Sequence, residues 1–507
     1  MKKMQALAAV ALLLSPVAAR AEWRKYDTQH FVIYSEAGEK EVTRLAERLE
    51  AVDGLMRMAS GLKSEIEPVK VRIYQVASDD EVEKALNEHN SGVEGFYTTN
   101  IFGPFAVTPR KTHTEGDFTA ELVLHHEYAH HFMLQYFPAV YPGWYVEGYA
   151  ELIGSSKVLP DGRIAYGMPA RHRGDEISAS WTSMEDILLK APDKIHNFDL
   201  YGQGWAMTHF LTFSPKRAPQ FRKYLALLTA GAAPADAART AFGDIGELNR
   251  EAHRYLDAGS FEYRPVAVPI AKPVIQKSQP IGAGEAALIP EIIAFRDDDP
   301  SGIKKDTERA RELKARADTL AHVKEKAARF ATDPFALYFL AQAEYGAGDY
   351  RAAEAAADRL LALQPGHVRG LVVKSLCVAE AAGRADGAQR AQLAGEARRL
   401  AQQANRADPN DPLPLVAYYQ SYHLAHLKAP KEAVNILSQV VATMPQDTHM
   451  RMLLVDALAA DRRFAQAIAF LMPIANDTHP SPQRDAAQAL LAQLQAEAAK
   501  EGKPGGG

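Results

Sequence analysis

His126-Glu127-Tyr128-Ala129-His130, followed by Glu147 within Trp144-Tyr145-Val146-Glu147-Gly148-Tyr149-Ala150-Glu151, decides how this chain is read. Leu122-Val123-Leu124 before the motif and Phe132-Met133-Leu134 after it predict a buried helix. Residues four apart on a helix share a face, so the imidazoles of His126 and His130 can converge on one ion with Glu127 beside them. A catalytic zinc keeps three protein ligands and a water, so a third ligand must come from elsewhere. Glu147 is the candidate, on a second predicted helix where Trp144 offers bulk for burial and Gly148 and Ala150 let the two site helices approach. Glu151, one turn on, competes for that place; behind a Glu147 ligand it would instead hydrogen-bond a ligand imidazole and fix its orientation.

The chemistry expected of this pattern is metal-assisted hydrolysis, with Glu127 as general base toward a metal-activated water and the ion polarising the scissile carbonyl. Tyr201, in Leu200-Tyr201-Gly202-Gln203-Gly204-Trp205, opens the next predicted helix and is the candidate oxyanion stabiliser. His209, His196 and His113 are lesser candidates. His125 and His131 flank the motif on other helix faces and are expected to be hydrogen-bonded neighbours.

Outward from the motif, residues 22–260 alternate strand-like runs, His30-Phe31-Val32-Ile33-Tyr34 and Val69-Lys70-Val71-Arg72-Ile73-Tyr74, with helical patterns, an α+β texture. Val42, Leu45, Leu49, Val52 and Met56 stand three and four apart, predicting a helix packed on a sheet over 41–58, and a second helix is expected over 81–89. Gly95 through Thr108 reads as an edge hairpin broken at Gly103-Pro104, and Pro160-Asp161-Gly162 as the turn of another. Prolines 265, 269, 273, 280, 290 and 300 suggest a linker over 261–303. From 304 to 500 the composition turns to Ala, Leu, Arg and Gln. A unit of about 34 residues opens at Asp333-Pro334, turns at Gly348-Asp349-Tyr350 and closes at Gln364-Pro365, the tetratricopeptide period. Asp408-Pro409, Met444-Pro445 and His479-Pro480 recur at comparable phase, so three to four all-helical repeats with a closing helix over 483–499 are expected, presenting a surface to a protein partner. Residues 501–507 read as a disordered tail.

The first 21 residues join Lys2-Lys3, an apolar run and Ala19-Arg20-Ala21, the parts of a signal peptide cleaved after Ala21, which places the mature chain in the periplasm or outside the cell. No later stretch approaches the length of a membrane span. Cys377 is alone and forms no internal disulfide. The formal charge of −5 moves to −8 once Lys2, Lys3 and Arg20 are removed, which argues against nucleic acid as a partner.

His126-Glu127-x-x-His130 with the downstream Trp144-x-x-Glu147-Gly148-x-Ala150-Glu151 resembles the gluzincin metallopeptidases, and within them the peptidase MA-like group often fused to tetratricopeptide repeats. The likeness spans about residues 23–258, although Val146 stands where gluzincins commonly carry Asn. It implies a thermolysin-like zincin domain followed by the repeats, zinc on His126, His130 and Glu147, Glu127 as catalytic base, Glu151 behind a ligand, and a protein or peptide substrate. The competing reading is a repeat scaffold with a structural or inactive zinc site. Glu127 separates the two, since a structural site needs no acid beside its first His.

Overall fold

The computed structural model describes residues 22–63, 69–86, 95–100, 103–111, 119–179, 181–190, 195, 200–296, 300–477 and 481–501. The expected signal peptide and residues 502–507 of the expected tail lie outside them. Strand β1 (Arg24–Asp27) turns back into β2 (Phe31–Ser35). Helix α1 (Glu39–Ser60) crosses to β3 (Val71–Ser78), parallel to β2, and α2 (Asp79–Leu86) leads to the antiparallel pair β4 (Phe96–Asn100) and β5 (Gly103–Lys111). Next come α3 (Ala120–Tyr136), α4 (Gly143–Gly154), and a hairpin of β6 (Lys157–Val158) and β7 (Ile164–Tyr166), with Gly162 at φ 82° in its turn. Among the described residues six helices follow: α5 (Gly174–Ala179), α6 (Met184–Leu189), α7 (Gly202–Phe213), α8 (Ala218–Thr229), α9 (Pro234–Phe242) and α10 (Ile245–Asp257). Trp144, Met207, Phe210, Phe221 and Tyr224 form the core that gathers α4 and most of these.

The Pro-rich stretch is not a free linker. β8 (Arg264–Val266) pairs with β7, and β9 (Lys277–Pro280) pairs with β1, making a six-stranded sheet ordered β4-β5-β3-β2-β1-β9. Both are edge strands, where a proline's missing N–H is harmless, so Pro265 and Pro280 fit the sheets. Helix α11 (Ala283–Ala294) follows at once, with Pro290 inside it, so the helical array starts well before residue 304. It continues through α12 (Asp306–Arg329), α13 (Pro334–Gly346), α14 (Tyr350–Leu363), α15 (Val368–Arg384) and α16 (Gly387–Ala407). The remainder is α17 (Leu413–His423), α18 (Lys431–Thr443), α19 (Thr448–Ala460), α20 (Phe464–Ala475) and α21 (Pro482–Glu501). Asp333, Asp349 and Asp447 cap α13, α14 and α19 by accepting backbone N–H groups. Ala353, Ala357, Ala394, Ala397, Ala401 and Ala404 are fully buried, and their small side chains bring successive helices close. Among the described residues no helix is long and apolar enough to cross a membrane.

Both faces of the large sheet are buried. Phe31, Ile33, Val71, Ile73 and Ala106 pack with α1 and α3, whereas Val32, Tyr34, Tyr74, Val76, Phe105 and Val107 pack with α11 and α13. Alternate residues on each strand therefore serve opposite cores, and each fully buried Val, Ile or Phe contributes roughly 1.5–3 kcal/mol. The array also meets the first unit further along, where Gln135 Nε2 at the end of α3 donates to the Thr443 carbonyl at the end of α18 (3.1 Å).

A buried charge network joins three elements beneath α3. Glu50 accepts from Thr28 Oγ1 (2.6 Å), from the His30 N–H (3.0 Å) and from His30 Nδ1 (2.6 Å). Asp53 accepts from Arg57 Nε (2.6 Å) and from the hydroxyl of Tyr128 on α3 (2.7 Å). Burial disfavours the imidazolium of His30, but the Glu50 hydrogen bond and the Asp53 charge outweigh it and raise His30 above its ordinary 6.5. Burial would likewise raise Glu50, yet His30 holds it below 4.5. The His30 contribution is complete below pH 6.5 and is lost as pH rises through its elevated folded value; that of Glu50 is present above 4.5 and is lost as pH falls through its depressed one. The midpoint of thermal unfolding should accordingly fall above pH 6.5, and His30→Gln should abolish that slope. Asp53→Asn, which removes the carboxylate charge beside the buried Arg57, should cost about 3 kcal/mol or more in the same measurement.

Candidate metal centre

Thr119 caps α3 by accepting the Leu122 N–H (3.2 Å), and the helix buries Leu124, Tyr128 and Phe132 against the sheet. His126 and His130 therefore share a different face, with their Nε2 atoms 3.1 Å apart. Glu147 on α4 brings Oε2 to 3.5 Å from His126 Nε2 and 3.4 Å from His130 Nε2. Donor atoms bound to one tetrahedral ion at about 2.0–2.2 Å stand about 3.3–3.5 Å apart, so this triangle has the size of one face of such a site and could hold a divalent ion. Burial would raise the Glu147 carboxyl, but the two imidazoles beside it keep it far below its ordinary range.

The two acids of α4 address different sides of one imidazole. Glu151 is turned away from the triangle, with Oε1 3.4 Å from His126 Nδ1. It is held by Arg173 Nη2 (2.9 Å) and Nε (3.2 Å) on Oε1 and by His172 Nε2 (2.7 Å) on Oε2. Burial opposes the Glu151 charge, and the His172 hydrogen bond leads the interactions that nonetheless lower its pKa. His172 and Arg173 escaped the sequence reading because they stand in a short 3-10 turn (Arg171–Arg173) that has no periodicity. The Arg171-His172-Arg173 run itself was the available signal.

Glu127 lies on α3, half-buried, one residue beyond His126. Tyr201 is the N-cap of α7; its ring stacks over that of His126 (centroids 6.2 Å apart, planes 29° apart), and the Arg173 guanidinium lies 4.7 Å from its centre. His209 does not join them. Its Nε2 meets the Gly167 carbonyl (2.9 Å) and its Nδ1 the Tyr255 hydroxyl (2.7 Å), and burial pushes it down to about 4, so it packs as a neutral core residue. His113 and His196 lie outside the described residues. His131 accepts or donates at Nδ1 to the Tyr97 hydroxyl of β4 (2.8 Å), tying the edge strand to α3. His125 departs from its expected role: neither ring nitrogen has a hydrogen-bond partner among the described residues, and burial pushes it down to about 3.

Glycines set the spacing of the helices. A Cβ on Gly148 would stand 2.2 Å from the Gly204 carbonyl oxygen, and one on Gly204 2.7 Å from that of Trp144, so α4 and α7 touch backbone to backbone. Gly148 thus faces α7, not α3 as the sequence suggested. Ala150 and Gly154 face α3, and a Cβ on Gly154 would lie 3.2 Å from the Leu122 carbonyl oxygen and 3.3 Å from His126 Cβ.

The tetratricopeptide repeat family model matches residues 424–494. Solved structures similar to the chain include a thermophilic TPR protein from Thermus thermophilus (19% identity, 37% of this chain and 95% of that one, TM-score 0.32). A tetratricopeptide repeat protein from Parabacteroides merdae (13% identity, 50% and 88%, TM-score 0.29) and yeast Tom70 (12% identity, 64% and 70%, TM-score 0.26) are also similar. No curated protein matches. The C-terminal array is a helical, tetratricopeptide-like repeat domain, the matched residues covering α18, α19, α20 and much of α21.

Gly148→Ala should lower stability by about 1–3 kcal/mol, because the new methyl meets backbone that cannot swing aside. Gly154→Ala, where contacts are wider by about an ångström, should cost less in the same thermal unfolding experiment.

Proposed function

We propose that this chain is a zinc-dependent metallopeptidase of gluzincin type joined to a repeat domain that binds a protein partner. The repeat half rests on the family match; the catalytic half rests on the triangle of His126, His130 and Glu147, with Glu127 next to the first ligand. The donor set, two imidazoles and one carboxylate, is the one a catalytic zinc takes in thermolysin-like sites. When bound, zinc supplies Lewis acidity to the scissile carbonyl and brings the pKa of a bound water toward neutrality.

The chain's own residues perform the rest. Glu127 takes the proton from the attacking water and delivers it to the leaving amine. Tyr201, beside His126, donates its hydroxyl to the oxygen on which charge develops. Glu151 accepts at the His126 Nδ1 side and fixes the ring with Nε2 toward Glu147, where it would hold a bound ion, while His172 and Arg173 hold Glu151. β4 pairs on one side only among the described strands, and its open edge beside α3 receives an extended peptide by strand addition.

A second reading, a repeat scaffold with a structural or inactive zinc site, has the broader backing from the repeat match. Metal content and turnover separate the two. One zinc per wild-type chain, lost in His126→Ala and Glu147→Ala, is expected. Glu127→Gln should keep the metal yet lose about 10²–10⁴-fold in peptide hydrolysis. Tyr201→Phe should lower kcat about 10²-fold or more with little change in KM. Zinc retained with no hydrolysis of any peptide by the wild type would establish the scaffold reading; no zinc in a folded wild type would remove the peptidase.

A further inference from the structure

Among the described residues three helices of the repeat domain end in the same backbone cap. At α13 the N–H groups of Gly348 and Asp349 reach the carbonyls of Tyr345 and Glu344; at α17 those of His426 and Leu427 reach His423 and Tyr422; at α19 those of Arg462 and Arg463 reach Ala459 and Leu458. This crossed pair of bonds forces a left-handed pivot residue, and glycine takes it without steric conflict. The pivot is Gly348 at φ 81°, but His426 at 53° and Arg462 at 58° in the later turns. Among the described residues these are the two non-glycine residues at positive φ. A backbone that tolerates such a residue at the place where glycine fits points to a use for its side chain.

Both side chains line pockets. Arg462 joins Lys428, Lys431, Arg463, Asn435 and Asp461 around a pocket of about 460 Å³ between the start of α18 and the α19–α20 turn. Four cations and one acid thus line it, with Glu497 of α21 close enough to feel the Arg462 charge, on a chain whose formal charge is −5. The acid is set back from the opening: Asp461 is only 12% exposed, and Lys428, 3.9 Å from it, is 87% exposed and reaches solvent. Two of the cations are pre-positioned, Arg463 by Gln466 Oε1 (2.6 Å from Nε) and Arg462 over the Phe464 ring (5.5 Å), so binding freezes out less side-chain freedom. His426 lines a second pocket with His423 and Arg384, whose charge is paired there with Glu380 (3.6 Å).

We infer that this edge of the repeat domain binds an acidic segment of a partner polypeptide, with two or three carboxylates spread over Lys428, Lys431, Arg462 and Arg463. The pocket is larger than one inorganic anion, and its cations are distributed over two turns rather than focused on a point. Asn435 adds an amide suited to a peptide group. The inference rests on the repeat half of the proposed function and is independent of the metal centre.

The test is fluorescence anisotropy of a labelled Asp/Glu-rich octapeptide, with its Asn/Gln counterpart as control, titrated with the full chain with and without zinc. Binding of the acidic peptide alone, weakened by salt and unchanged by zinc, is expected. Lys431→Ala combined with Arg463→Ala should weaken it about tenfold or more. Arg462→Gly is the sharper variant: it gives the turn its preferred residue while deleting a cation, so the thermal midpoint should rise as affinity falls. No binding by folded wild type overturns the proposal, as does binding indifferent to these substitutions. Inorganic phosphate or phosphatidylglycerol vesicles competing at equal charge concentration would overturn it too, by assigning the pocket to phosphate. Failure here with intact zinc-dependent hydrolysis would leave the metal centre untouched.

Discussion

Burial of the large sheet on both faces is the constraint from which the rest of the molecule follows. Because Tyr34, Tyr74 and Val107 are cross-strand neighbours facing away from α1 and α3, they need a second cover, and α11 with α13 supplies it. The repeat domain is therefore seated on the first unit by apolar packing rather than tethered to it. The same constraint brings the Pro-rich stretch into the fold, since the chain must return along β9 before α11 can reach the outer face.

On the inner face, the polar groups under α3 and the glycines around α4 act together. Tyr128 anchors the back of α3 to Asp53, while Gly148 and Gly154 allow α4 to lie in contact with a helix on either side. That squeeze is what lets one short helix offer Glu147 to the Nε2 atoms and Glu151 to His126 Nδ1. The second His and acid cluster, His30 with Glu50 and Asp53, has ligand-type residues too, but Arg57 already supplies its positive charge.

Local periodicity made much of this legible. Apolar flanks marked α3, four-residue spacing paired His126 with His130, and the Asp-Pro and Gly-Asp punctuation marked the repeats. What stayed hidden depends on partners distant in sequence. Nothing local distinguishes an edge strand containing Pro280 from a linker containing it, because both lack the N–H. The direction of Gly148 follows from where α7 lies. His172 and Arg173 enter from a turn whose only mark was its charge.

The pairing of β1 with β9 also orders events in time. Arg24 is opposite Pro280, so the strand made first waits for some of the last residues of its own sheet, and the outer face waits for α11. Closing such long loops slows folding, whereas each repeat needs only its neighbour in sequence. At synthesis rates of about 5–20 residues per second, the early sheet stays incomplete for many seconds after β1 has been made. The N-terminal unit is thus held open through most of the chain's emergence, and the repeats, though last to be made, are the part able to fold as they appear.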